Sequence, residues 1–297
     1  MKIFGNKSKL TPDWSFSQTG NLWKFIFAGR NIIAGETRDI AQKKLFLFSL
    51  DVNTGKCFMK NFLFEDGNYW VSIEGGNENI LFLNRFRSPE LPYPKNIIAL
   101  NILTGKKLWE NEEYIYYFCE KDKLYGRKSS FEKELYAVID LTDGSSSPLS
   151  DNDAAKLKKM KADADDDLFR EFYDYPKPDS VYPADEECAA IIAKETGGKI
   201  IKGDVEYITK NEFLLFNYYM ESGSAADAGR KLYKNVFCIY NVLIGEKLYG
   251  DVLNENTNYN VPDNFFMKDG RVFLLKGREN LVSINLIKND DVLRGNN

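Results

Sequence analysis

The alternation of apolar and polar positions is clearest at Ile98–Glu110, which reads I-A-L-N-I-L-T-G-K-K-L-W-E. An alternating run rich in β-branched residues predicts a strand, and the polar interruption predicts a turn. The phrase returns in degraded form at Leu47–Phe58 (L-F-S-L-D-V-N-T-G-K-C-F), Leu135–Gly144 (L-Y-A-V-I-D-L-T-D-G), Phe237–Tyr249 (F-C-I-Y-N-V-L-I-G-E-K-L-Y) and Leu281–Ile287 (L-V-S-I-N-L-I). In each copy an Asp or Asn opens the turn by bonding its own backbone. In four copies a glycine follows four residues later (Gly55, Gly105, Gly144, Gly245) and supplies the positive φ of a bulged hairpin. The second strand carries a bulky apolar residue, Met59, Trp109 or Tyr249, suited to the wedge between neighbouring sheets.

Aligning the turn residues Asp51, Asn101, Asp140, Asn241 and Asn285 gives steps of 50, 39, 101 and 44 residues. Three of these match one four-stranded propeller blade of about 40–50 residues. The long step is one blade plus an insertion. Two further strands precede each phrase; blade two, for example, takes Tyr69–Glu74, Asn79–Asn84, Asn96–Ile102 and Lys106–Glu110. The expected fold is therefore all-β: a five-bladed β-propeller of four-stranded antiparallel blades, residues 1–297 as a single domain, with a helical insertion at 145–199 between blades three and four. Blade five lacks its outermost strand. Asp13–Ser17 is expected to supply it and close the ring, with Trp14 placed as Trp109 is in its own blade. Closure hides strand edges that otherwise template aggregation.

The L-D-x-x-T-G-K-x-L-W pattern, best kept at residues 98–109 and less well at 47–58 and 237–249, resembles the repeats of quinoprotein-like β-propellers. That fold is shared by pyrroloquinoline quinone alcohol dehydrogenases and outer-membrane assembly scaffolds. The resemblance fits an uncharacterised bacterial family that shares the repeat, and it specifies a blade rather than an activity. The dehydrogenases look like eight-bladed rings with a vicinal cysteine pair and a calcium-binding carboxylate–amide cluster. Here five blades are counted, Cys57, Cys119, Cys188 and Cys238 include no adjacent pair, and no such cluster is found. No cofactor is expected.

Composition narrows the chemistry. A net charge of −4 gives no case for nucleic acid. Residues 1–10 lack an apolar stretch and no run approaches 18 apolar residues, so a cytoplasmic monomer with no membrane association is expected. With no histidine in the chain, a Ser–His–Asp triad, a Cys–His pair and histidine-ligated metals are excluded. The scattered cysteines read as reduced thiols, and no metal site is expected. Within the insertion, Asp151–Asp153 is expected to cap a helix from Ala154 to about Phe172, with Leu157, Met160, Leu168, Phe169 and Phe172 as its apolar residues. A proline-rich bridge leads to a second helix at Asp185–Glu195, ended by Gly197-Gly198. The acidic run Asp163, Asp165, Asp166, Asp167 lacks the glycine and glutamate of a calcium loop and reads as a solvated helix face.

One surface follows from topology. The loops joining strands two and three share a face with the starts of the inner strands. They bring Arg38, Arg85, Arg87, Arg127 and Arg278 toward Trp23, Trp70 and Tyr114, a set suited to an anionic or planar ligand. The competing reading is that these arginines pair with nearby acids such as Glu36, Asp39 and Glu90. Glu74, Glu120 and Asp263 are the candidate carboxyls for a hydrolase. Glu74 and Glu120 are expected in turns at the opposite end from Asp263, so they do not converge and no catalytic residue is assigned. The expected function is a non-catalytic protein-binding or scaffolding module. The alternatives are a carboxylate-dependent hydrolase, possibly carbohydrate-active, and a sensor of a small anionic ligand at the arginine-lined mouth.

Overall fold

The computed structural model describes residues 9–88, 90–120, 122–131, 133–171, 173–199, 201–224, 231–258, 261 and 264–287. They are all-β apart from two helices and form five antiparallel sheets whose main strands follow one another along the chain. The first strand, β1 (Trp14–Ser17), joins the last sheet. Sheet one is β2 (Asn21–Ala28), β3 (Ile32–Asp39), β4 (Lys44–Asp51) and β5 (Cys57–Phe62). Sheet two is β6 (Val71–Gly76), β7 (Ile80–Ser88), β9 (Ile97–Asn101) and β10 (Lys107–Asn111), with the short β8 (Leu91–Pro94) paired to the end of β7. Sheet three is β11 (Ile115–Glu120), β12 (Lys123–Ser129), β13 (Glu134–Ile139) and β14 (Ser146–Pro148). After α1 (Asp151–Glu171), β15 (Tyr173–Asp174), β16 (Lys177–Pro178) and α2 (Glu186–Thr196), sheet four is β17 (Ile201–Lys210), β18 (Phe213–Ser224), β19 (Lys231–Asn241) and β20 (Glu246–Thr257), with β16 beside β17. Sheet five is β21 (Phe265–Lys268), β22 (Arg271–Lys276) and β23 (Asn280–Asn285), extended by β15 on one edge and β1 on the other.

The chain sorts into two compact units, Ser17–Phe169 and Met1–Phe16 with Arg170–Asn297. The first holds sheets one to three and the second holds sheets four and five.

The turn chemistry read from the sequence is present atom by atom. Asp51 Oδ1 accepts from the Asn53 and Thr54 amides and the Thr54 hydroxyl. Asn101 Oδ1 accepts from the corresponding Leu103, Thr104 amide and Thr104 hydroxyl groups. The glycine that follows has a second duty. A Cβ on Gly105 (φ 72°) would lie 2.4 Å from the Phe62 ring, and one on Gly144 (φ 77°) would lie 2.6 Å from the Trp109 ring. Each turn thus lies under an aromatic ring from the fourth strand of the preceding sheet, and Trp109 also donates its indole N–H to Leu141 O at 2.7 Å. This is the wedge packing expected for Trp109. Met59 does the same against Leu81, Leu83 and Ile98. In the second unit Tyr249 packs with Phe265 and Met267.

β1 lies beside β23 as its sequence implied. The Asp13 amide donates to Ser283 O, and the Asp13 carboxylate accepts from the Asn285 amide and pairs with Arg271. Trp14 meets Phe273 with ring centroids 6.1 Å apart, the separation at which Trp109 meets Phe82.

Each helix docks on a sheet of its own. Leu157 of α1 is buried against Phe118, Tyr125 and Tyr136 of sheet three, while Met160 is exposed. Leu168, Phe169 and Phe172 have side chains outside the described residues. Ser150, not Asp151–Asp153, receives the first-turn amide, from Asp153. α2 begins at the expected cap, with Asp185 accepting from the Cys188 amide at 2.8 Å, and buries Cys188 and Ile192 against sheet four. The proline-rich bridge is drawn into β15 and β16, which pair with β21 and β17. Among the described residues no helix is long and apolar enough to cross a membrane.

Candidate functional site

In the first unit the ends of β3, β7 and β12 meet the starts of the inner strands. Arg38 stands opposite Asn21, Arg85 opposite Val71 and Arg127 opposite Ile115. Arg38, Arg85 and Arg127 therefore reach the same end of their sheets. Their side chains are engaged there by carboxylates.

Arg38 and Glu36 alternate on one face of β3, so they share a side of the sheet. Glu36 is fully buried and Arg38 is 5% exposed. The guanidinium donates to Glu36 Oε1 at 2.8 and 3.1 Å and to the Tyr69 and Val71 carbonyls, both at 2.8 Å. Glu36 Oε2 accepts from the Ile73 amide at 2.8 Å. The pair thus fastens sheet one to sheet two. Trp23 and Tyr69 flank the guanidinium, 5.4 and 5.0 Å from it, and Trp23 is 60% exposed. Arg38 acts as a pedestal for an exposed indole rather than as an open anion donor.

Arg85 donates to both Glu65 and Glu110. Its side-chain bonds to these acids hold its own proton more firmly and pull the Glu65 carboxyl below the usual range. Burial pushes Glu110 up, but bonds from Lys107 and Arg85 outweigh it and leave it lowered. Arg127 pairs with Glu134 at 3.0 Å, and Glu134 also accepts from the Tyr136 hydroxyl at 2.6 Å. Tyr114 is buried beneath Lys128, whose ammonium lies 4.6 Å from the ring centre. Trp70 is half-buried, edge-on to Tyr69. Arg87 is exposed. Arg278 belongs to the second unit and lines a cleft there. Of the acids expected to pair with the arginines, Glu36 does so. Asp39 instead accepts from the Gln42 amide in its own turn.

The candidate catalytic carboxyls need a correction. Glu74 is not in a turn; it lies within β6, at a bulge between Ile73 and Gly75 that re-aims it. It accepts a bond from the Asn84 amide. Burial raises its carboxyl, with Lys24 and Arg127 opposing and Glu36 adding to the rise. Glu120 closes the β11–β12 hairpin opposite Lys123, away from this group. Asp263 lies outside the described residues. Lys24, which donates to Ile73 O, and Asn84 were missed by the sequence reading. A polar residue at one fixed strand-two position in four sheets (Glu36, Asn84, Arg127, Asn217) was the signal that could have marked the column. It needs the register to be seen.

Exposed apolar side chains cluster by topology in this unit. The connection after strand two carries one in each sheet: Ile40 at 60%, Tyr93 at 67% and Phe131 fully exposed.

A family model described as "Domain of unknown function (DUF4905)" matches residues 28–109. No curated protein matches. Among solved structures, the chain is similar to a eukaryotic initiation factor at 11% identity and TM-score 0.32, over 87% of this chain and 50% of that one. It is similar to the quinohemoprotein alcohol dehydrogenase ADHIIG of Pseudomonas putida HK5 at 10% identity and TM-score 0.29, over 94% and 44%. An uncharacterised protein of Listeria monocytogenes EGD-e aligns at 9% identity and TM-score 0.33, over 89% and 94%. The chain spans about half the length of the first two. Likeness at this level carries no argument about activity.

Proposed function

We propose that this chain is a β-propeller whose five sheets are its blades and that it serves as a non-catalytic protein-binding module. The observation carrying this reading is the division of labour at the strand-two ends. The charged groups there hold one another, while Trp23, Ile40, Tyr93 and Phe131 stand exposed around them. Aromatic side chains on a rigid support are favoured anchors for protein partners, because little conformational freedom is lost on binding. A sensor of small anions is less favoured because the charges of Arg38, Arg85 and Arg127 are each countered by a carboxylate. A hydrolase would need a second accessible carboxyl beside Glu74, and Glu36 has both oxygens occupied and no exposure.

The test is affinity purification of the tagged chain from its own cell, side by side with the triple variant W23A/Y93A/F131A. The expected result is loss of the wild-type partners from the variant with little change in melting temperature, since all three side chains are exposed. Retention of the same partners by a folded variant contradicts the reading.

A further inference from the structure

The second unit contains a cleft of about 540 Å³ between the far end of β20 with the residues after it and the β22–β23 turn. One wall is the segment Asn254-Glu255-Asn256-Thr257-Asn258, and Asn280 and Arg278 line the other. The wall is re-aimed locally: the β19–β20 register shifts between Asn254 and Thr257, where Asn256 takes a positive φ of 52°. Asparagine tolerates that region better than most residues. Arg278 in the facing turn also has a positive φ, 59°, beside Gly277 at 63°. The Gly277 amide donates to Leu253 O at 2.8 Å and fixes this turn against β20.

The buried Asn254 anchors this wall from behind. Asn254 donates to Asn264 Oδ1 at 3.1 Å, and Asn264 and Asn235 both donate to the Tyr219 hydroxyl, at 2.9 and 3.0 Å. Tyr219 is buried and bonds the Val261 backbone. Lys202 donates to Asn258 O at 2.9 Å. Two charged groups at the cleft are matched locally: Lys276 holds both Asp251 oxygens at 2.9 Å, and Glu255 pairs with Lys234 at 3.2 Å; Arg278 adds a guanidinium to the facing wall. What the walls present is the neutral amide of Asn256, Asn258 and Asn280, a donor and an acceptor on one rigid group, together with apolar surface at Val252 and Val261.

We infer that this cleft is a carbohydrate-binding site for neutral oligosaccharides. A sugar hydroxyl both donates and accepts, so neighbouring hydroxyls match asparagine amides pairwise, and the ring's C–H face suits the valines. An anion would have to compete with Asp251 for Lys276, which leaves Arg278 as the other cation lining the cleft.

The experiment is a printed array of neutral, sulfated and sialylated oligosaccharides probed with the full chain, followed by calorimetric titration of the best ligand. The variant is N256G/N258A; glycine keeps the positive φ at 256, and 258 is exposed, so both changes leave the backbone unstrained. Neutral glycans are expected to bind, with affinity falling about tenfold in N256G/N258A through the loss of two hydrogen bonds. W23A/Y93A/F131A should bind them like the wild type. A blank array, binding confined to charged glycans, or unchanged affinity in N256G/N258A would overturn the assignment.

Discussion

Glu36 accepts two bonds from one guanidinium and one from a neighbouring sheet's amide, and all of this happens out of water. Removing one partner of a buried pair leaves the other charge desolvated and unmatched, which costs about 3–5 kcal/mol. Glu36→Gln should therefore lower unfolding stability by about that amount in urea titrations at neutral pH. The double change Glu36→Leu with Arg38→Met should recover more than half of the loss, because the unmatched charge goes too. Equal losses in the single and double variants would mean that the pair acts through shape and not charge. At this scale the sequence was partly legible. The E-x-R spacing places two opposite charges on one face of a strand behind the apolar Ile32 and Ala34, and pairing is the expected outcome of such a placement. That Arg38 would be sealed by the Tyr69 and Val71 carbonyls depended on a strand about thirty residues away, which no local pattern specifies.

α2 shows how an element is held in place. Glu195, in its last turn, accepts from the Tyr240 hydroxyl at 2.6 Å, from the Tyr218 hydroxyl at 3.1 Å and from Lys199 and Lys247, both at 3.1 Å. Burial pushes this carboxyl up, but the Tyr240 bond and the Lys247 and Lys199 contacts outweigh it and hold it at about 2. The same site pushes the neighbouring Cys238 thiol up to about 12, mainly by burial, so that thiol is inert. A lowered carboxyl stabilises the folded form fully above its ordinary value of 4.5, and the contribution is lost as pH falls from there toward 2. Protection of α2 amides in hydrogen exchange should accordingly weaken across that window, and Glu195→Gln should flatten the dependence while weakening the helix at neutral pH. Identical pH profiles for the two proteins would rule out the carboxylate as the clamp. The helix limits were readable to within a residue from Asp185 and Gly197, because capping is local chemistry. Its docking surface was not, since Tyr218, Tyr240 and Lys247 come from three later strands.

For the whole molecule, the pairing of β1 with β23 matters most, because it joins residues more than 250 positions apart. β1 buries Trp14 and Phe16 and covers the edge of β23. Deleting residues 1–17 should cost about 3–6 kcal/mol from those two side chains alone. It should also leave a bare strand edge that drives association. Calorimetry and light scattering check this: a truncated chain that melts and scatters light as the full one does would show that the strand is an accessory.

The repeat determined, from sequence alone, the strand phrases, their turns, the five-sheet count and the destination of the N-terminal strand. These follow from periodicity and turn chemistry, which act over a few residues and repeat. Only the tertiary structure decided which charges are engaged. It engaged Arg38, Arg85 and Arg127 in ion pairs near exposed aromatic and aliphatic side chains, moved Glu74 into a bulged strand and docked the two helices on separate sheets. It also brought Asn254, Asn256 and Asn258 to face Asn280 across a cleft. The availability of a charged or amide side chain depends on what lies opposite it across sheets, and that information is spread over distances a local pattern does not encode.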